Sequence, residues 1–124
     1  MIQLRTVLTV ADNTGARKLR VYMVHGGFKR KFGYIGDFVG ASVVEAIPES
    51  AFPAGTKVKA VIVRTRHPLR RKDGSRIRFD DNAGIILESV ESKNPAGSRV
   101  FGPIAREVKE RGYTKISSLA EEVV

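Results

Sequence analysis

The sequence predicts a mainly β fold: a small five-stranded β-barrel with a projecting basic β-hairpin and two short C-terminal α-helices. Three observations lead there. Residues 1–100 are built of short runs that alternate apolar with polar residues, separated by glycine and turn residues. Within them, residues 64–78 carry seven Lys/Arg among fifteen residues around the Asp73-Gly74 pair, with Asp73 the only acid. After Asn94-Pro95-Ala96-Gly97 the apolar period becomes helical. Consecutive short strands with glycine corners favour a closed barrel over a sandwich.

Thr6 to Val10 reads as the first strand, and Asp12-Asn13-Thr14-Gly15 as the turn after it. Leu19, Val21 and Met23 alternate with Arg20 and Tyr22 in a second strand, ended by Gly26-Gly27. The loop to Gly36 places Lys29, Arg30 and Lys31 between Phe28 and Phe32, with Tyr34 beyond. Its cations suit phosphate. Its aromatics suit either base stacking or, by default, anchoring of the loop. Phe38 to Ile47 is a third strand, where Gly40 marks a bulge or bend.

Val58 to Val63 is almost continuously apolar, as in a strand buried on both faces. Two strands then leave the body past Pro68 and turn at Asp73-Gly74, a pair suited to the positive φ angles of a type I′ turn. Arg76 to Phe79 returns as the fifth strand, and Gly84 to Val90 is placed beside it. Pro103 suits the first turn of a helix containing Ile104 and Val108 and stopped by Gly112. Thr114 is positioned to cap a second helix that buries Ile116, Leu119 and Val123.

At 124 residues the chain is one domain, with the barrel and hairpin in 1–100 and the helical part in 101–124. It has no cysteine, which excludes thiol catalysis and disulfides and suits a reducing compartment. No apolar run reaches the ~20 residues of a membrane helix, and no targeting segment is visible. The net charge of +9 is uneven: residues 17–78 hold fifteen Lys/Arg against four acids, whereas the remainder is net −2. A hairpin with seven cations cannot bury them unpaired, so it faces water or a polyanion. Density and near-absence of acid favour a polyanion, and RNA phosphate is the natural one. The candidate RNA-binding residues are Arg17, Lys18, Lys29, Arg30, Lys31, Arg64, Arg66, Arg70, Arg71, Lys72, Arg76 and Arg78.

Enzymatic chemistry finds no support. The glycines at 26, 27, 33, 36 and 40 form no phosphate loop, since no G-x-x-x-x-G-K-[ST] pattern or following helix accompanies them. His25 and His67 read as structural or polar contacts. Asp80 and Asp81 are adjacent on a strand, hence on opposite faces, and suit a turn or pairing with Arg76 and Arg78 better than a shared metal. No cofactor is implied. Two other readings compete: a free single-strand-binding barrel of the OB type, which calls for aromatics along its strands, and an RNA-processing enzyme, which calls for clustered acids or a paired histidine.

The chain opens Met1-Ile2-Gln3 and continues with Val10 to Arg17, Glu45 to Pro48, Lys59 to Thr65, Arg70 to Ser75 and Ile77 to Ala83. Gly97, Arg99, Phe101-Gly102-Pro103, Arg106-Glu107, Lys115-Ile116 and Ser118 to Ala120 follow. These stretches resemble, from end to end, the L-fourteen family of large-ribosomal-subunit proteins. Departures fall at Gly84 and Ile85, where bacterial members carry cysteine and valine, and in a longer loop at 49–54. The resemblance implies the same barrel with its hairpin and a structural, non-catalytic role in the ribosome, that of the cytoplasm or of an organelle. It also implies binding to large-subunit ribosomal RNA and bridges to small-subunit RNA. The implied protein partners are ribosomal proteins L-nineteen and L-three and a ribosome silencing factor, the last docking around Ser98, Arg99 and Lys115, with Ser98 in place of a threonine.

Overall fold

The computed structural model describes residues 2–25, 31–89 and 91–124. Five strands form the barrel wall: β1 (Val7–Val10), β2 (Ala16–Val24), β3 (Phe38–Ala46), β4 (Lys57–Arg64) and, after the hairpin, β7 (Ala83–Ser89). The hairpin consists of β5 (Leu69–Arg70) and β6 (Arg76–Ile77), paired only with each other. Beyond β7 come β8 (Asn94–Pro95), β9 (Pro103–Ile104), α1 (Arg106–Glu110), α2 (Thr114–Leu119) and β10 (Glu122–Val123).

The wall runs β1-β2-β3-β4-β7 in antiparallel pairs. It closes by a parallel pairing of β1 with β7, Thr9 opposite Ala83 and Val10 opposite Gly84. Closure removes the open edges that would otherwise recruit another strand. It also explains Gly84. A Cβ there would lie 3.2 Å from both the Leu8 side chain and the Val61 carbonyl, so the seam is closest where no side chain intervenes.

Alternation sends one set of side chains inward. Val39 faces Ala60, which faces Ile86, and all three are fully buried. The opposite face of β4 and β7 is also covered: Val61, Val63 and Ile85 are fully buried, as two-sided burial of the apolar run required. The C-terminal segment runs along the end of β4, where the Ala105 N–H donates to the Val63 carbonyl (3.3 Å). Ile104, Val108 and Ile116 complete the core from this side.

Gly40 does mark an irregularity, but the bulge lies in the facing strand. Val21 pairs with Ala41 and Met23 with Gly40, leaving Tyr22 as the extra residue. Four other expectations need correction. The barrel's fifth strand is β7; the predicted fifth, from Arg76, pairs only within the hairpin. Pro103 starts no helix. It lies in β9, parallel to β10, because the segment is held extended by hydrogen bonds from Arg64 to the Phe101 and Pro103 carbonyls before α1 begins at Arg106. Thr114 is the first residue of α2 rather than its cap; Tyr113 holds that position and no side chain caps the helix. Val123 is exposed, since β10 carries it away from α2.

Asp12 joins the barrel to its C-terminal cover. One carboxylate oxygen accepts from the Thr14 N–H (3.1 Å) and hydroxyl (2.6 Å), the other from the Ile86 N–H in β7 (3.1 Å). Its backbone bridges to Val100. Burial pushes the carboxyl above its ordinary range, and the Thr14 and Ile86 donors oppose that rise. Asp12→Asn is expected to cost about 1–3 kcal/mol, because the amide must turn its NH2 toward a donor and leave a buried N–H unsatisfied. Urea unfolding should show a lower midpoint at unchanged slope.

Candidate nucleic-acid interface

The hairpin is built from two unlike faces. Leu69 lies opposite Ile77, both half-buried, and Leu69 and Phe79 pack against the core. Arg70 lies directly opposite Arg76, and both are exposed. The turn spans Lys72-Asp73-Gly74. The Gly74 N–H donates to the Arg71 carbonyl (3.1 Å) and the Arg71 N–H to the Ser75 carbonyl (2.9 Å). Gly74 has φ +89°, but Asp73 does not adopt positive φ. The loop is therefore a three-residue turn closed by a left-handed glycine, not type I′. Asp73 instead accepts from the Ser75 N–H and hydroxyl, which holds its carboxyl below the usual range.

The seven cations of 64–78 divide into two groups. Arg64, expected on the exposed arm, has a buried guanidinium. It donates to the carbonyls of Phe101 and Pro103 (both 3.0 Å) and pairs with Asp81. Arg71 is also turned inward. Its Nε lies 2.8 Å from Glu107 on α1, and an Nη donates to the Val124 main-chain oxygen (2.6 Å). The hairpin is thus latched to α1 and to Val124, just beyond β10, instead of standing free. Arg66 donates through Nε to the Asp80 carbonyl, while its own N–H is accepted by the Asn82 side chain. The Asp80-Asp81-Asn82 cluster therefore serves Arg64 and Arg66, and not Arg76 and Arg78 as expected.

The second group comprises Arg70, Lys72, Arg76 and Arg78, all exposed. Among the described residues none of them has a carboxylate within ion-pair reach. Elsewhere, Arg17 is exposed and Lys18 is 3.6 Å from Glu45 at the surface. Lys31 borders a cleft with Leu4, Tyr22 and Phe32. Lys29 and Arg30, together with Phe28, lie outside the described residues.

Ser98 and Lys115 line one hollow with Glu88 and Leu119. Asn13 organises its rim: its side-chain oxygen accepts from the Ser98 and Arg99 N–H groups (2.9 and 3.1 Å), and its NH2 donates to the Ser98 hydroxyl (2.9 Å). Arg99 leans instead over the Phe101 ring, 5.8 Å from its centroid. Asn13 and Glu107 are the residues that sequence reasoning missed. Their partners stand 85 and 36 positions away, and no local pattern announces either pairing.

Among the described residues no group of three His, Cys, Asp or Glu side chains could hold a metal, and no helix is long and apolar enough to cross a membrane. The fold and site are those of a closed barrel with an exposed cationic hairpin face, a scaffold class without catalytic groups brought together among the described residues. The chain belongs to the ribosomal protein L14p/L23e family, whose model matches residues 1–124. It is 55% identical over 123 residues to large ribosomal subunit protein uL14 of Petrotoga mobilis, with 99% of each chain covered. This is a family of structural ribosomal proteins and not of enzymes, and the chain's place is within the ribosome in the cytoplasm.

Because Arg71 holds the hairpin, Arg71→Ala should free it without opening the barrel. Removing a half-buried charge-assisted hydrogen bond costs about 1.5–3 kcal/mol. Amide exchange at Ile77 should then accelerate roughly tenfold or more, with Ile62 unchanged. Equal acceleration at both positions would mean that the latch supports the whole barrel.

Proposed function

We propose that this structural ribosomal protein binds large-subunit ribosomal RNA through the outer face of the β5–β6 hairpin, and that this surface contributes to bridges with small-subunit RNA. One observation carries the reading. Arg70 and Arg76 face each other across the strand pair and, among the described residues, neither has a carboxylate within ion-pair reach. Like charges directly opposite on a sheet repel and destabilise the pairing. A phosphate between them turns that repulsion into attraction. Lys72 and Arg78 extend the same cationic surface along the hairpin.

The test is the salt dependence of RNA binding. Removing one phosphate-binding cation should lower the slope of log K against log salt by about 0.7–0.9. The double variant Arg70→Ala with Arg76→Ala should flatten it by about twice that while circular dichroism stays native. An unchanged slope and affinity would make this face merely solvated.

The family resemblance supports ribosomal proteins L-nineteen and L-three as neighbours and a silencing factor as a docking partner. For the latter, the hollow shared by Ser98 and Lys115, with Arg99 at its edge, is the surface proposed. Rim charges set orientation and association rate more than raw affinity. Arg99→Glu with Lys115→Glu should slow factor capture by about tenfold or more while the chain still enters large subunits. Pull-down from purified mutant subunits reads both. Undiminished capture would remove the docking assignment, and failed assembly would assign these residues to the RNA side.

A further inference from the structure

The outer wall of β2, β3 and β4 carries a second cationic surface, and it has an aromatic at its centre. Arg20 lies opposite Ser42, which lies opposite Lys57, so the two cations are two strand spacings apart, roughly 10 Å. One step along, the bulged Tyr22 lies across Gly40. A Cβ on Gly40 would meet the Tyr22 ring at 2.9 Å, so the ring occupies the space that any other residue would fill. Tyr22 nevertheless remains 41% exposed.

Cations surround it. Lys57 Nζ is 5.7 Å from the ring centroid, near the outer limit of a cation–π contact. Beyond Gly40, Lys59 donates to His25 Nε2 (3.0 Å), which requires that nitrogen to be unprotonated, and His25 stacks on Phe38 at 4.7 Å. Among the described residues the acid on this wall is Glu45, and Lys18 already pairs with it. Tyr22 also forms one side of a cleft of about 470 Å³ with Leu4, Met23 and Lys31.

We infer that this wall is a stacking site for an unpaired RNA nucleotide: Tyr22 takes the base, and Lys57 and Arg20 take the flanking phosphates. A flat, exposed ring held by a glycine and rimmed by cations matches base on aromatic and phosphate on ammonium. A protein partner would have to bring acids of its own to meet these cations, since among the described residues the wall's acid, Glu45, is already paired with Lys18. A duplex would reach the cations but keep its bases from the ring. The site rests on the RNA-binding reading above but uses none of the hairpin residues.

The experiment measures binding of the full chain to single-stranded oligouridylate and to an RNA duplex of equal length at fixed salt. Tyr22→Leu should weaken single-strand binding roughly tenfold and leave duplex binding unchanged, whereas Tyr22→Phe should retain both. Gly40→Ala should reproduce the Tyr22→Leu loss, because the added Cβ displaces the ring while every cation remains. Gly40 has no positive φ to defend, so the added methyl strains no backbone and meets only the outer end of the Tyr22 side chain. Full single-strand affinity in both Tyr22→Leu and Gly40→Ala overturns the site. The Arg70→Ala/Arg76→Ala protein separates the two readings. If it loses RNA while Tyr22→Leu does not, only the stacking site fails; if neither loses RNA, the RNA-binding reading fails with it.

Discussion

The Arg64 guanidinium sits where barrel, hairpin and C-terminal segment meet. Burying an arginine costs several kcal/mol unless its donors are satisfied. Here one Nη donates to two carbonyls and the other to Asp81, while the buried Nε lies 3.1 Å from the same carboxylate as an ion pair without a hydrogen bond of its own. The chain wraps the group closely: at Gly102, φ +77°, a Cβ would fall 2.5 Å from Nη1. Lysine could not substitute, because the planar fork serves several acceptors at once. This one side chain fixes the end of β4, the approach of Phe101-Gly102-Pro103, and the point from which the hairpin departs. The Asp12–Val100 bridge, the Arg71 latch and the Arg111–Asp37 pair then hold the rest of the C-terminal segment in place.

From that anchor the hairpin's cations acquire different jobs. Arg64 and Arg71 pair with Asp81 and Glu107 and hold structure together. Arg70, Lys72, Arg76 and Arg78 lack such partners among the described residues and face outward. The first group makes the second possible. A two-stranded hairpin is marginal in water on its own, and a repelling Arg70–Arg76 pair makes it worse. Apolar packing of Leu69 and Phe79 beneath, and the Arg71 latch at the turn, hold the cationic face in register before any RNA arrives.

Much of this was legible in the sequence, and the exceptions share a cause. Four of the five barrel strands were readable because alternation and glycine corners are local signals, whereas the hairpin's return reads as the fifth in place of β7. Two-sided burial of β4 was readable from its unbroken apolar run. The hairpin was readable from Asp73-Gly74, although the turn's extra residue was not. Pro103 and Thr114 carry helix-start chemistry that tertiary packing overrides: Arg64 holds the first in an extended segment, and Tyr113 takes the capping position of the second. Which arginines face inward was not legible at all. Arg64 finds its carbonyls 37 and 39 residues on, and Arg71 finds Glu107 36 residues on. In the sequence they look the same as Arg70 and Arg76.

Segment charge has to be read with the same caution. Residues 17–78 are strongly cationic and the remainder is net −2, which suggests an RNA side and a protein side. The fold interleaves them. Asp81 and Glu107 come from the acidic remainder and pair with Arg64 and Arg71 of the basic part, while Arg111 crosses the other way to Asp37 at 3.4 Å. The acids outside the basic segment thus help to bind the fold together as well as supplying a second surface. Their pairing removes cations from the pool available to RNA. Among the described residues, the cations that remain outward include those of the hairpin face and of the β2–β3–β4 wall with its exposed ring. Net charge sets how strongly such a chain is drawn to a polyanion. The ion pairs between the two parts decide which of its cations are free to touch one.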